Sequence, residues 1–220
     1  MRLEGRRQST NVDDRRRGGG GRRAAAPLGC GSVLLILAYL LLGGDPEVAV
    51  QVMSDAATTA PAPAPAAATE DDAAAELVRI ILADTETVWG DLFSRSGRTY
   101  PEPTLVLFSD SVRSACGSAS SAVGPFYCPG DQQIYIDLSF YRELSDRFGA
   151  PGDFAQAYVL AHEVGHHIQT VLGINQEVSR QQRQVDEATA NGLSVRLELQ
   201  ADCLAGVWAH HAHQQRQLLE

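Results

Sequence analysis

Lysine is absent from the 220 residues, so all 18 basic side chains are arginine. Together with abundant alanine, that absence reflects coding composition and carries no functional message. Residues 1–23 also lack any aromatic side chain and include a run of four glycines, Gly18 to Gly21. This excludes a folded reader of nucleic-acid bases from the most basic part of the chain, and no nucleic-acid partner is expected. Residues 24–44 lack charge altogether. The apolar run inside them, Val33 to Leu42, is not followed by the small residues that a cleavable signal requires; Leu42-Gly43-Gly44 fits poorly. Cys30 precedes that run, which excludes a lipoprotein processing site. Finally, neither glycine nor proline follows Trp208, so the polar helical stretch before Glu220 reads as a truncation.

Charge is divided unevenly along the chain. Eight arginines in residues 1–23 oppose only Glu4, Asp13 and Asp14, a net of +5, although the whole chain carries −9. With residues 24–44 neutral, residues 45–220 hold −14. A charge-free stretch of 21 residues matches the span of a hydrocarbon core. Arginines before it and acids after it predict a single-pass helix with the N-terminus cytoplasmic and the later domain extracytoplasmic. The expected organisation is therefore an arginine-rich head at 1–23, a transmembrane helix at 24–44, a Pro/Ala-rich linker at 45–71 and a folded domain at 72–220.

Within that domain, apolar spacing predicts a first helix around Leu77, Ile80, Ile81, Val88 and Leu92. Short strands are expected at Thr104–Phe108 and Gln133–Leu138. Helices follow at about 154–172, 176–188 and 191–212, with Gly173 capping the first of them. The order is α+β. The strand at Gln133–Leu138 is expected either at the edge of a cleft or in the core.

The chemistry is concentrated in His162-Glu163-Val164-Gly165-His166 and, 32 residues on, Glu198-Leu199-Gln200-Ala201-Asp202. Residues four apart share a helix face, so His162 and His166 can direct their imidazoles to one zinc ion. Glu163, about 100° round the helix, misses the ion but reaches a water beside it, the position of a general base. Glu198 supplies the third ligand of a two-histidine, one-glutamate set and leaves a fourth position open. Asp202, one turn beyond, is expected to accept the ring N–H of a ligating histidine and fix its tautomer. His167 points off the ligand face and reads as structural or exposed; His210, His211 and His213 read as a solvated tail. Cys116 and Cys128 flank a Gly/Ser-rich loop and are the disulfide candidate in an oxidising compartment, leaving Cys203 without an evident partner.

Several segments resemble the bacterial putative neutral zinc metallopeptidase family. They are Arg2 to Arg7 with Asn11 to Arg16, Cys116 to Ala119, Gly124 to Asp131, Ile134 to Asp137, the helix around His162, and Glu198 to Trp208. The resemblance implies a gluzincin-like, zincin-type fold with zinc on His162, His166 and Glu198 and with Glu163 catalytic. It implies hydrolysis of peptide bonds in a protein or peptide substrate, as an endopeptidase. A zinc-stabilised binding domain without catalysis, and a membrane adaptor without metal, are the competing readings. Glu163 argues against the first, because a structural zinc needs no base; the second predicts no metal at all.

Overall fold

Two short segments, Thr104-Leu105-Val106-Leu107-Phe108 and Gln133-Ile134-Tyr135-Ile136-Asp137, are apolar at almost every position. Alternation is lost because both faces of these strands are covered, as happens in the middle of a parallel sheet. The computed structural model describes residues 1–16, 70–146, 149–150, 152–214 and 218. In it the two segments form β2 (Thr104–Phe108) and β6 (Gln133–Asp137), paired in parallel with Leu105 opposite Ile134. On the outer side of β2 lies β1 (Val12–Asp14), also parallel; on the outer side of β6 lies β5 (Phe126–Cys128), antiparallel. A separate hairpin, β3 (Ser111–Ser114) with β4 (Gly117–Ser120), precedes β5. The Cys116–Cys128 disulfide ties that hairpin to β5, as expected.

Five helices complete the described fold: α1 (Glu70–Arg95), α2 (Ser139–Asp146), α3 (Asp153–Val171), α4 (Ile174–Gln182) and α5 (Glu187–Gln214). The core joins Leu77, Ile81, Val88 and Trp89 of α1 to Leu105, Leu107, Ile134 and Ile136 of the sheet, and to Leu160, Val164 and Ile168 of α3. Trp208 of α5 is fully buried and donates its indole N–H to Asp84 of α1 at 2.9 Å. Gly173, at φ 77°, ends α3 in the left-handed conformation that favours glycine. The mixed α+β class is therefore the one expected.

Three expectations need correction. The strand expected at Gln133–Leu138 stops at Asp137; it is central, in line with the core alternative, and the edges of the sheet are β1 and β5. The polar helix expected at 176–188 stops at Gln182, and α5 begins at Glu187 because Asp186 caps it, accepting from Thr189 N–H at 3.0 Å. The third concerns the head, expected as a separate unit at 1–23. Residues 1–16 instead belong to the same compact unit as α1 to α5. The physical reason lies in Glu86, a buried carboxylate in the middle of α1. It accepts from Arg7 Nη2 at 2.8 Å, from Asn11 Nδ2 at 2.9 Å and from the Ser9 hydroxyl. All three donors come from the head, and Met1, Leu3 and Val12 pack on the core beside them.

The expected transmembrane helix at 24–44, and the linker as far as residue 69, lie outside the described residues. Among the described residues no helix is long and apolar enough to cross a membrane.

Candidate metal centre

Gly165 sits in the middle of α3, where glycine costs roughly 1 kcal/mol relative to alanine. Its value is contact. A Cβ there would lie 2.9 Å from the backbone oxygen of Ala201, so only glycine lets α3 and α5 approach this closely. Ala201 is flanked on α5 by Glu198 and Asp202, and Gly165 on α3 by His162 and His166. The close approach thus brings the two sequence motifs face to face.

The result is a convergence of three electron-pair donors. His162 Nε2 and His166 Nε2 are 3.1 Å apart, and Glu198 Oε2 lies 3.2 Å from the first and 3.4 Å from the second. His162 Nδ1 faces Asp202 Oδ1 at 2.9 Å. An ionised carboxylate only accepts hydrogen bonds, so Nδ1 carries the ring proton and Nε2 presents its lone pair to the centre. Three such atoms would repel one another without a cation between them. A four-coordinate zinc with bonds of about 2.0–2.2 Å holds neighbouring donors roughly 3.3–3.5 Å apart. The donor set and its spacing therefore fit zinc. Among the described residues, His162, His166 and Glu198 are the group of histidine, cysteine and acidic side chains able to hold a metal.

Glu163 lines the same cleft but is buried, and burial raises its carboxyl pKa above the usual range. The nearby imidazoles and the Tyr127 backbone work in the opposite direction. A carboxyl in that environment is poised nearer neutrality than a surface glutamate, as a proton acceptor for catalysis should be. The cleft, about 360 Å³, is lined by Phe126 and Tyr127 of β5 and by Asn175. Beside it, sharing His162 and Glu163, is a hollow of about 300 Å³ with Val123, Phe140, Tyr158 and Val159 in its lining.

His167 is fully buried and structural. It donates Nε2–H to the Pro101 carbonyl at 2.6 Å, so Nδ1 accepts from the Tyr127 hydroxyl at 3.2 Å. Burial holds its pKa below the ordinary histidine value. His210, His211 and His213 stand in the last turns of α5 and take no part in the centre. Cys203 is exposed and forms no disulfide among the described residues.

A sequence profile of the family described as putative neutral zinc metallopeptidase matches residues 1–220. The chain belongs to that family. A relative from Escherichia coli strain K12, the uncharacterized protein YpfJ, is 44% identical over 98% of this chain and 77% of its own length. The uncharacterized protein Mb2605 of Mycobacterium bovis is 50% identical over 51% of this chain and 37% of its own. No solved structure matches.

Two parts of the centre escaped the sequence reading. One is β5, three residues long and placed by a disulfide and a neighbouring strand. The other is Gln169, fully buried one turn after His166, whose Oε1 lies 2.9 Å from His166 Nδ1. The available signal was a polar side chain continuing the helix of two ligands at i+3.

Proposed function

We propose that this chain is a zinc-dependent peptidase with one zinc held by His162, His166 and Glu198. The observation that carries the reading is the convergence of the two Nε2 atoms and the Glu198 carboxylate at 3.1–3.4 Å. Zinc bound there would polarise a substrate carbonyl and acidify a water. Glu163, buried beside these residues with a raised pKa, would take a proton from a water in the cleft and return it to the departing amine. Asp202 holds the His162 ring in the tautomer that leaves Nε2 free.

A helix bearing both histidines, a second helix bearing the glutamate, and an antiparallel edge strand alongside them support a zincin-like assignment. The outer edge of β5 beside the cleft supports an extended peptide as substrate, held by backbone hydrogen bonds as an added strand. We further propose membrane association through residues 24–44. The docking of the head onto the domain supports head and domain on one side of the membrane, in place of the single-pass arrangement.

The test is metal analysis of the purified protein combined with a casein-type hydrolysis assay. About one zinc per chain, with hydrolysis abolished by a chelator and restored by added zinc, is expected. Zinc without hydrolysis, in this chain and in a longer form alike, would favour a zinc-stabilised binding domain. No zinc would sink the proposal.

A further inference from the structure

We infer that Gln169 is a positioning residue: it sets the proton of His166 and locks the Glu198 helix in register with the two histidines. The inference rests on the zinc reading above for its consequence, but its geometry stands alone.

The starting point is the Leu197 carbonyl of α5. Gln169 Nε2 lies 2.7 Å from that oxygen and 3.1 Å from Gln200 Oε1. A backbone carbonyl can only accept, so the amide NH2 of Gln169 must face α5. Its Oε1 then necessarily faces His166 Nδ1, at 2.9 Å. An amide oxygen can only accept as well, so His166 Nδ1 carries the ring proton. The lone pair of His166 is thereby left on Nε2, facing His162 Nε2 and Glu198.

The tautomer of one ligand is thus dictated by a carbonyl on the other helix. Leu197 immediately precedes Glu198, so the same amide measures where the third ligand stands along α5. Gln169 is fully buried, so solvent does not stand in for either partner. Asp202 does the corresponding work for His162 from the opposite direction, from α5 toward α3. The two ligand histidines are therefore held by reciprocal ties between the same pair of helices. Gln169 differs from Asp202 in carrying no charge. It orients His166 without adding a second buried carboxylate beside Glu163 and Glu198, whose repulsion would cost stability.

The experiment compares the parent with Gln169→Leu, Gln169→Glu and Thr170→Val. Thr170 is the neighbouring polar residue, bonded to the His166 carbonyl at 3.2 Å, and serves as the control for purely structural loss. Imidazole nitrogen NMR of the metal-free proteins reads the tautomer, chelator competition reads zinc affinity, and thermal melts read folding. The parent should show His166 with its proton on Nδ1. Gln169→Leu should mix the two tautomers and weaken zinc by about 10–100-fold. Gln169→Glu keeps an acceptor toward His166 but loses the donor to Leu197. It should retain the tautomer while weakening zinc, and it keeps the test open should the leucine variant not fold. Thr170→Val should lower the melting temperature with the tautomer unchanged. An unchanged tautomer in Gln169→Leu, or zinc affinity within about twofold of the parent in both Gln169 variants, overturns the inference. If the parent itself takes up no zinc, the zinc reading fails and the tautomer alone decides the role of Gln169.

Discussion

The centre depends on a few side chains held by partners that each have only one way to bond. Asp202 fixes His162, and the Nε2 lone pairs of His162 and His166 converge with the Glu198 carboxylate on one centre. His162, Glu163 and His166 were legible in the sequence as a candidate set because their spacing on one helix is itself a geometry, and Glu198 with Asp202 because they share a face of another. Gln169 and Tyr127 were not, because an amide and a phenol carry no chemistry until their neighbours across space are known. The role of Gly165 was equally hidden. At this position Gly165→Ala would drive a methyl group into the Ala201 backbone oxygen 2.9 Å away, and backbone cannot swing aside as a side chain can. We expect a loss of about 1–3 kcal/mol in a denaturant melt, together with weaker zinc binding as α3 and α5 part. Equal stability and affinity would mean that the helix contact does not set the site.

Among the elements, those with strong local patterns were read closely: α1, β2, β6, α3 and α5. The missed ones are short: the strands β1, β3, β4 and β5 and the eight-residue helix α2. β3 and β4 consist largely of small polar residues, most of them exposed, and offer no apolar run. β1 is three residues long, and its partner strand lies about ninety residues away, so Arg15 and Arg16 just after it read as a topology signal. They are in fact paired. Arg16 bonds Asp14 at 2.6 Å, and Arg79 of α1 reaches the same carboxylate at 3.0 Å. The hydrogen bond from Arg16, aided by that from Arg79, lowers the Asp14 pKa from 3.8 to about 2. A carboxyl depressed in the folded state stabilises it fully above the unfolded value, and the contribution fades as pH falls from about 4 toward about 2. A carboxyl-carbon NMR titration should place Asp14 near 2 in the parent and nearer 3.8 in Arg16→Ala. A parent midpoint near 3.8 would show that these pairs do not form in solution.

On the scale of the whole molecule, the head is the largest departure from the linear reading. Sequence order separates residues 1–16 from the domain by a charge-free run and a Pro/Ala tract, whereas the fold makes them an edge of the sheet. Removing residues 1–16 strips Glu86, whose side chain is 1% exposed with the head in place, of Arg7, Ser9 and Asn11, and uncovers the core where Met1, Leu3 and Val12 pack. Losing the partner of a buried charge costs about 3–5 kcal/mol, so the shortened protein should melt well below the parent. An unchanged melt would return the head to the status of an appendage. The same contact bears on topology. Tags at residue 1 and residue 220 should show the same protease sensitivity in intact cells and in inverted vesicles. Opposite sensitivity would mean that the head does not reach the domain in the cell.

The central claim is that Glu163 acts as the base beside a zinc held by His162, His166 and Glu198. Glu163→Gln tests it most directly, because the amide keeps the side chain's size but cannot take up the proton. Zinc content and hydrolysis should be measured on the same preparation, alongside the parent. The account predicts about one zinc per chain in both proteins and at least about a hundredfold loss of hydrolysis in the variant. A variant that keeps its zinc and cleaves as fast as the parent would contradict it.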